Sequence, residues 1–130
     1  MEKPQKGTIR ISVERYAYPR VTKDIDVPAI IVGDIAVHRR VFWGEDDYPT
    51  QPNNKAAWTA THIPTGVSAG AELIFGNNQK PSTLIDWAAK WQEMAPDFFA
   101  LAANGNLGAV PKDIISAALE AGRKAKDALT

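Results

Sequence analysis

Apolar positions in this chain recur with a period of two up to about residue 80 and with a helical period beyond it. In "TIRISVERYAY", Ile9, Ile11 and Val13 alternate with Arg10, Ser12, Glu14 and Tyr16. That is the pattern of a half-buried strand, ended by Pro19. The first six residues are polar and read as frayed. "AIIV" and "IAVHRRVF" flank Gly33-Asp34, a pair suited to a two-residue hairpin turn; one long strand with a bulge at Gly33 is the rival reading. Pro28 places the first arm at a sheet edge or at its own start. "AAWTATHI" and "VSAGAELI" flank "PTG", which predicts a second hairpin with Gly66 at positive φ. The small residues Ser68, Ala69, Gly70 and Ala71 predict close approach by a helix or another backbone.

Past "FGNNQK", Pro81 opens a helix in which Leu84, Trp87, Ala88, Trp91 and Met94 or Ala95 follow helical spacing. Thr83 with Asp86 resembles a capping box. Trp87 and Trp91, four apart, read as the anchor of helix on sheet. Pro96 interrupts this helix. "DFFALAANG" predicts a short second one, stopped by Asn104-Gly105. Pro111 starts a third, with Ile114, Ile115, Ala118, Leu119 and Gly122 on its apolar side. Strands followed by helices predict an α+β fold. It is an antiparallel sheet of about four or five strands, covered on one face by the C-terminal helices. A single domain spans 1–130, with the sheet at roughly 7–75 and the helices at roughly 81–129.

Composition then removes function classes. The 130 residues include no cysteine, which excludes disulfides, zinc-thiolate sites and cysteine nucleophiles. Fifteen basic residues balance fifteen acidic ones, so the strong positive field of a general nucleic-acid binder is missing. No signal-peptide h-region and no membrane-spanning apolar run are present, and a cytoplasmic location is expected. Walker A, G-x-G-x-x-G and G-x-S-x-G motifs are all absent.

His38 and His62 are the two histidines. If their strands are neighbours, the two share one surface. Each is a candidate general base or, on the plainer reading, a hydrogen-bonded structural residue. Asp34, Glu45, Asp46 and Asp47 are nearby carboxylates, but no H-x-x-x-H or E-x-x-H spacing accompanies them, and neither a metal nor a cofactor is expected. Thr61, His62, Thr65 and Gly66 place hydroxyls, an imidazole and a permissive glycine in one turn. With Arg39 on the same face they suit a phosphate, and hence a nucleotide. The alternative is a hairpin whose threonines cap its own backbone. Basic and aromatic residues interleave in "ERYAYPR" and "HRRVFW". Arg39, Arg40, Trp43 and Trp58 are candidate contacts for a partner, while the same composition also describes solvated strand faces. His62 itself is expected near its strand end, partly buried, with its ring bonded to a carbonyl or a threonine hydroxyl.

The segment W-x-x-x-H-x-x-T-G, with "IAVHR" upstream and an Ala-rich helical end, resembles small accessory proteins encoded by bacteriophages and prophages. The resemblance covers roughly Gly33 to Ala89, and His38, Trp58, His62, Thr65 and Gly66 match its pattern. The acidic loop Gly44 to Asn54 departs from it. The resemblance implies a host-takeover or anti-defence protein that binds and inhibits or regulates a host macromolecule. Its partner is then a host or defence-system protein. A small-ligand or nucleotide-sequestering protein is the first alternative, and a small enzyme using His62 as acid/base the second. Self-association stays open, and no membrane is involved.

Overall fold

A computed structural model describes residues 3–14, 21–43, 49–50, 58–69, 75 and 79–129. The strands are β1 (Gln5–Glu14), β2 (Thr22–Val32), β3 (Ile35–Arg39), β4 (Phe42–Trp43), β5 (Pro49–Thr50), β6 (Trp58–His62) and β7 (Val67–Ser68). The helices are α1 (Pro81–Met94), α2 (Pro96–Ala102) and α3 (Lys112–Asp127), with a 3-10 turn at Leu107–Ala109. Five strands form one antiparallel sheet in the order β1-β2-β3-β6-β7, and β4 pairs with β5 separately. The helices follow the sheet in sequence, and α1 packs on β2, β3 and β6. The fold is α+β.

Alternation assigns the two faces. Val32 lies opposite Ile35, and Val37 opposite Ala60. These four pack with Leu84, Trp87, Ala88 and Trp91 of α1 in the larger core. On the reverse face Ile9 lies opposite Val27 and Ile31 opposite Ala36, and with Ala29 they make a second cluster. Burying each large apolar side chain contributes about 1.5–3 kcal/mol.

The tryptophans anchor α1 as their spacing predicts, and they also join it to α3. Their rings stack at 4.9 Å and 22°. Trp87 Nε1 donates to the Gly122 carbonyl and Trp91 Nε1 to the Ala118 carbonyl, each at 2.8 Å. The rings reach the main chain because α3 presents Ala118, Ala121, Gly122 and Ala125 toward them. Leu119, expected on that apolar side, is instead exposed, because the stripe of small residues takes the contact.

Three other local expectations need correction, and the two-residue turn at Gly33-Asp34 stands over its rival. β1 begins at Gln5, opposite Ile31, so Gln5 and Lys6 are paired and not frayed. β2 is a central strand although it contains Pro28. The β2–β3 ladder stops at Ile30 opposite Val37, so the missing N–H of Pro28 costs no bond on that side. Lys80 is the N-cap of α1 and no side chain caps it, so Thr83 lies inside the first turn and forms no capping box. Gly33-Asp34 is a two-residue connection with Gly33 at φ +60°, which removes the bulge reading.

Gln92 of α1 seats that turn. Its Nε2 donates to the Val32 carbonyl at 2.7 Å, and its Oε1 accepts from the Asp34 N–H at 2.9 Å. A β-carbon at position 33 would run into the Gln92 side-chain amide. The expected strand end at Tyr16 and Pro19, residues 44–48 and 51–54 of the acidic loop, and Gly70 and Ala71 lie outside the described residues.

Candidate functional site

The register of β3 against β6 separates the two histidines. His38 lies opposite Thr59, and His62 opposite Ile35. Their positions differ in parity once the strands are paired, so they sit on opposite faces and share no surface. His38 belongs with Ala36 and Thr61 on the reverse face. Its Nδ1 donates to the Arg39 carbonyl at 2.7 Å, since a carbonyl only accepts. Its Nε2 then accepts from the Thr61 hydroxyl at 2.8 Å. Both ring nitrogens are engaged and the ring is buried.

His62 sits at the other end of β6, on the helix side. It is 6% exposed. Phe98 and Phe99 of α2 stand over the ring, with centroids at 6.1 and 5.7 Å. Nδ1 is 2.9 Å from the Thr65 hydroxyl, which also accepts from the Val67 N–H at 3.3 Å. This is the structural bond expected of His62, and it ties the ring to the turn after β6. That turn closes through Gly66 N–H to the His62 carbonyl at 2.8 Å, with Gly66 at φ +70°. Nε2 is buried and, among the described residues, has no hydrogen-bond partner. Burial pushes the His62 pKa below its ordinary value, because a charged ring would be desolvated; Asp34 offsets part of the effect.

His62 is one wall of a chamber of about 140 Å³ between the β6–β7 turn and the helices. Thr65, Val67, Ser68 and Ala69 line it from the turn and β7, Trp91 and Phe98 from α1 and α2, Leu107 from the 3-10 turn, and Ile115, Ala118 and Leu119 from α3. The outer wall includes Val67 and Leu119, which are 49% and 55% exposed. Among the described residues no charged side chain lines it.

Of the residues singled out from sequence, His62 and Thr65 line this chamber and Gly66 shapes its turn. The others do not converge there. Thr61 is bonded to His38 on the reverse face. Arg39 lies over the ring of Trp58, its partner across the ladder, 5.0 Å from the centroid. Trp58 is four positions along β6 from His62, about 13 Å of strand. Arg40 follows the end of β3, and Trp43 lies in β4 opposite Pro49. The phosphate-binding face assembled from Thr61, His62, Thr65 and Arg39 therefore does not form. Among the described residues no group of three His, Cys, Asp or Glu side chains is placed to hold a metal. No helix among them is long and apolar enough to cross a membrane. Sequence reasoning missed Phe98, Ile115 and Leu119 as site residues. The paired Phe98-Phe99 just after Pro96-Asp97 was the available signal.

No family model matches the chain, and no match was found among curated proteins or solved structures.

Proposed function

We propose that this protein acts by binding, and that it binds a small molecule in the chamber beside His62. One observation carries this reading. His62, whose Nε2 is buried with no partner among the described residues, lines a chamber whose other described walls are mostly apolar, with Thr65 and Ser68 as the hydroxyls. Leaving such a group unpaired costs about 1–3 kcal/mol. A small molecule seated in the chamber gains from burial against Trp91, Phe98 and Ile115. Acid/base catalysis is less well supported, because among the described residues no carboxylate is bonded to His62 to orient the ring. The test is a melting curve with a panel of ring-sized organic compounds at millimolar concentration. A ligand present at about 100 times its Kd adds about 2.7 kcal/mol of stability. Ala69→Leu, which projects bulk into the chamber, is expected to remove the shift while keeping the far-ultraviolet circular dichroism spectrum. No shift with any compound sinks the reading.

Binding of a host macromolecule, as the phage resemblance implies, is a second proposal. Its support is the exposed apolar pair Val67 and Leu119 at the chamber's outer wall. A purified partner whose affinity falls when both become serine, and is unchanged by Ala69→Leu, would favour it over the small molecule.

A further inference from the structure

We propose that the outer edge of β1 pairs with β1 of a second copy of this chain, antiparallel and centred on Arg10, so that two sheets join into one. β1 does not line the chamber beside His62, so this interface is independent of small-molecule binding.

Among the described residues β1 pairs with β2 alone, and the opposite edge of the sheet is the two-residue β7. The turn at Gly33-Asp34 fixes where the backbone groups of β1 point. Val32 and Ile35 flank a two-residue connection, so they exchange backbone bonds. Bonding direction alternates along a strand, so even positions of β2 face β3 and odd positions face β1. The same alternation, carried through β3 to β6, turns Ala60 and His62 toward β7. Their carbonyls do accept from the Ala69 and Gly66 N–H groups, at 2.9 and 2.8 Å. Gln5, Gly7, Ile9, Ile11 and Val13 therefore bond to β2, each opposite an odd-numbered residue. Lys6, Thr8, Arg10, Ser12 and Glu14 aim their N–H and C=O groups away from the sheet. Such a row is a template for another strand.

Edges are commonly blunted by a proline, a bulge or a run of charge. β1 contains no proline, and from Gln5 to Glu14 it follows β2 without a skipped partner. Its charges are arranged to meet a copy of themselves. Lys6, Thr8, Arg10 and Ser12 are exposed. With the twofold axis at Arg10, Lys6 of each copy stands opposite Glu14 of the other, and Thr8 opposite Ser12. The two Arg10 residues meet, but each already lies 3.1 Å from its own Asp26. On the reverse face Ile9 stands opposite Ile11, which carries the apolar cluster around Ile9 and Val27 across the interface. All the outward residues of β1 then exchange both backbone bonds. An axis at Ile9 would set Glu14 against Pro4, which has no N–H. An axis at Ile11 would carry Lys6 past the end of the second β1 at Glu14. One strand edge buries less than the ~1,200 Å² of a stable interface, so the dimer is a weak one.

The test is sedimentation velocity of the full chain from about 5 to about 500 µM at low salt, the range in which a weak interface populates a dimer. Thr8→Pro removes one outward N–H and puts its ring in the path of the second copy. It costs no bond to β2, because Thr8 faces Pro28 as a non-bonded pair. The expected result is a dimer weakened at least about tenfold, with the far-ultraviolet circular dichroism spectrum kept. Lys6→Glu is expected to weaken it about fivefold, and adding Glu14→Lys to restore it to within about twofold. Amide exchange of the wild type gives a readout that needs no variant to fold. The Thr8 and Ser12 amides should slow as concentration rises, whereas those of Gly7 and Ile11, already bonded to β2, should not. A chain that stays monomeric at about 500 µM overturns the proposal. So does a dimer that Thr8→Pro leaves untouched. A double variant that regains no affinity overturns the Arg10-centred register.

Discussion

His38 and His62 are both buried, lie on adjacent strands, and were indistinguishable as residues in the sequence. Their surroundings differ in one respect. The His38 ring is closed off by a carbonyl on one nitrogen and a threonine hydroxyl on the other. The His62 ring is held by a threonine on one side only. Burial alone does not distinguish the two imidazoles; the unpaired nitrogen inside the burial does. The fold pairs both nitrogens of the first histidine and, among the described residues, one nitrogen of the second.

Substitutions can break this contrast. The largest effect is expected from His38→Ala, which leaves the Arg39 carbonyl and Thr61 hydroxyl unpaired and opens a cavity. Urea denaturation should show a loss of about 2–4 kcal/mol. A loss under about 1 kcal/mol would mean that His38 is no better integrated than His62. Thr65→Val keeps the shape but removes the bond to Nδ1 and the acceptor for Val67. The same measurement should show a loss of about 1–1.5 kcal/mol. His62→Leu should change stability by less than about 1 kcal/mol in either direction, because removing a buried unpaired nitrogen offsets the lost threonine bond.

The smallest effect is a matter of pH. The folded state holds His62 below the 6.5 of a free histidine, whereas the unfolded chain titrates near that value. Between the two pKa values the unfolded chain binds a proton that the folded chain refuses. Stability therefore falls as pH drops below 6.5 and levels off beneath the folded pKa. Melting curves of wild type and His62→Leu across pH 7.5 to about pH 5 should differ in this acid slope, with the variant flatter. Equal slopes would show that His62 carries no burial penalty.

The sheet was legible because its signals are local. Ile9 and Ile11 alternate, Gly33-Asp34 and Gly66 mark turns, and Trp87 and Trp91 repeat on one helical face. Each of these needs no more than a few neighbouring residues to be read. The separation of the histidines was not legible in the same way. Alternation orders residues within a strand, but the face of one strand relative to the next depends on pairing, here His38 with Thr59. The chamber was harder still. Its walls come from β6, β7 and all three helices, and no spacing in the chain announces that Phe98 and Ile115 will meet His62. What was readable was the pair of threonine and histidine three apart, and it gave the bond to Nδ1 without revealing the open side of the ring.

Gln92 has a consequence for how the two layers find each other. An apolar helix laid on an apolar sheet face has many positions of similar energy, since dispersion and water exclusion are nondirectional. The amide of Gln92 presents one donor and one acceptor to the Val32 carbonyl and the Asp34 N–H, the same pair that a neighbouring strand would offer. It indexes α1 to a single turn of the sheet. A slide of one helical turn, about 5.4 Å, would break both bonds at once. The chamber begins at Trp91, the residue before Gln92, so its dimensions inherit this indexing. Gln92→Leu would keep the apolar contact but free the helix to settle elsewhere, and the molecule would then hold a family of chamber widths where it now holds one.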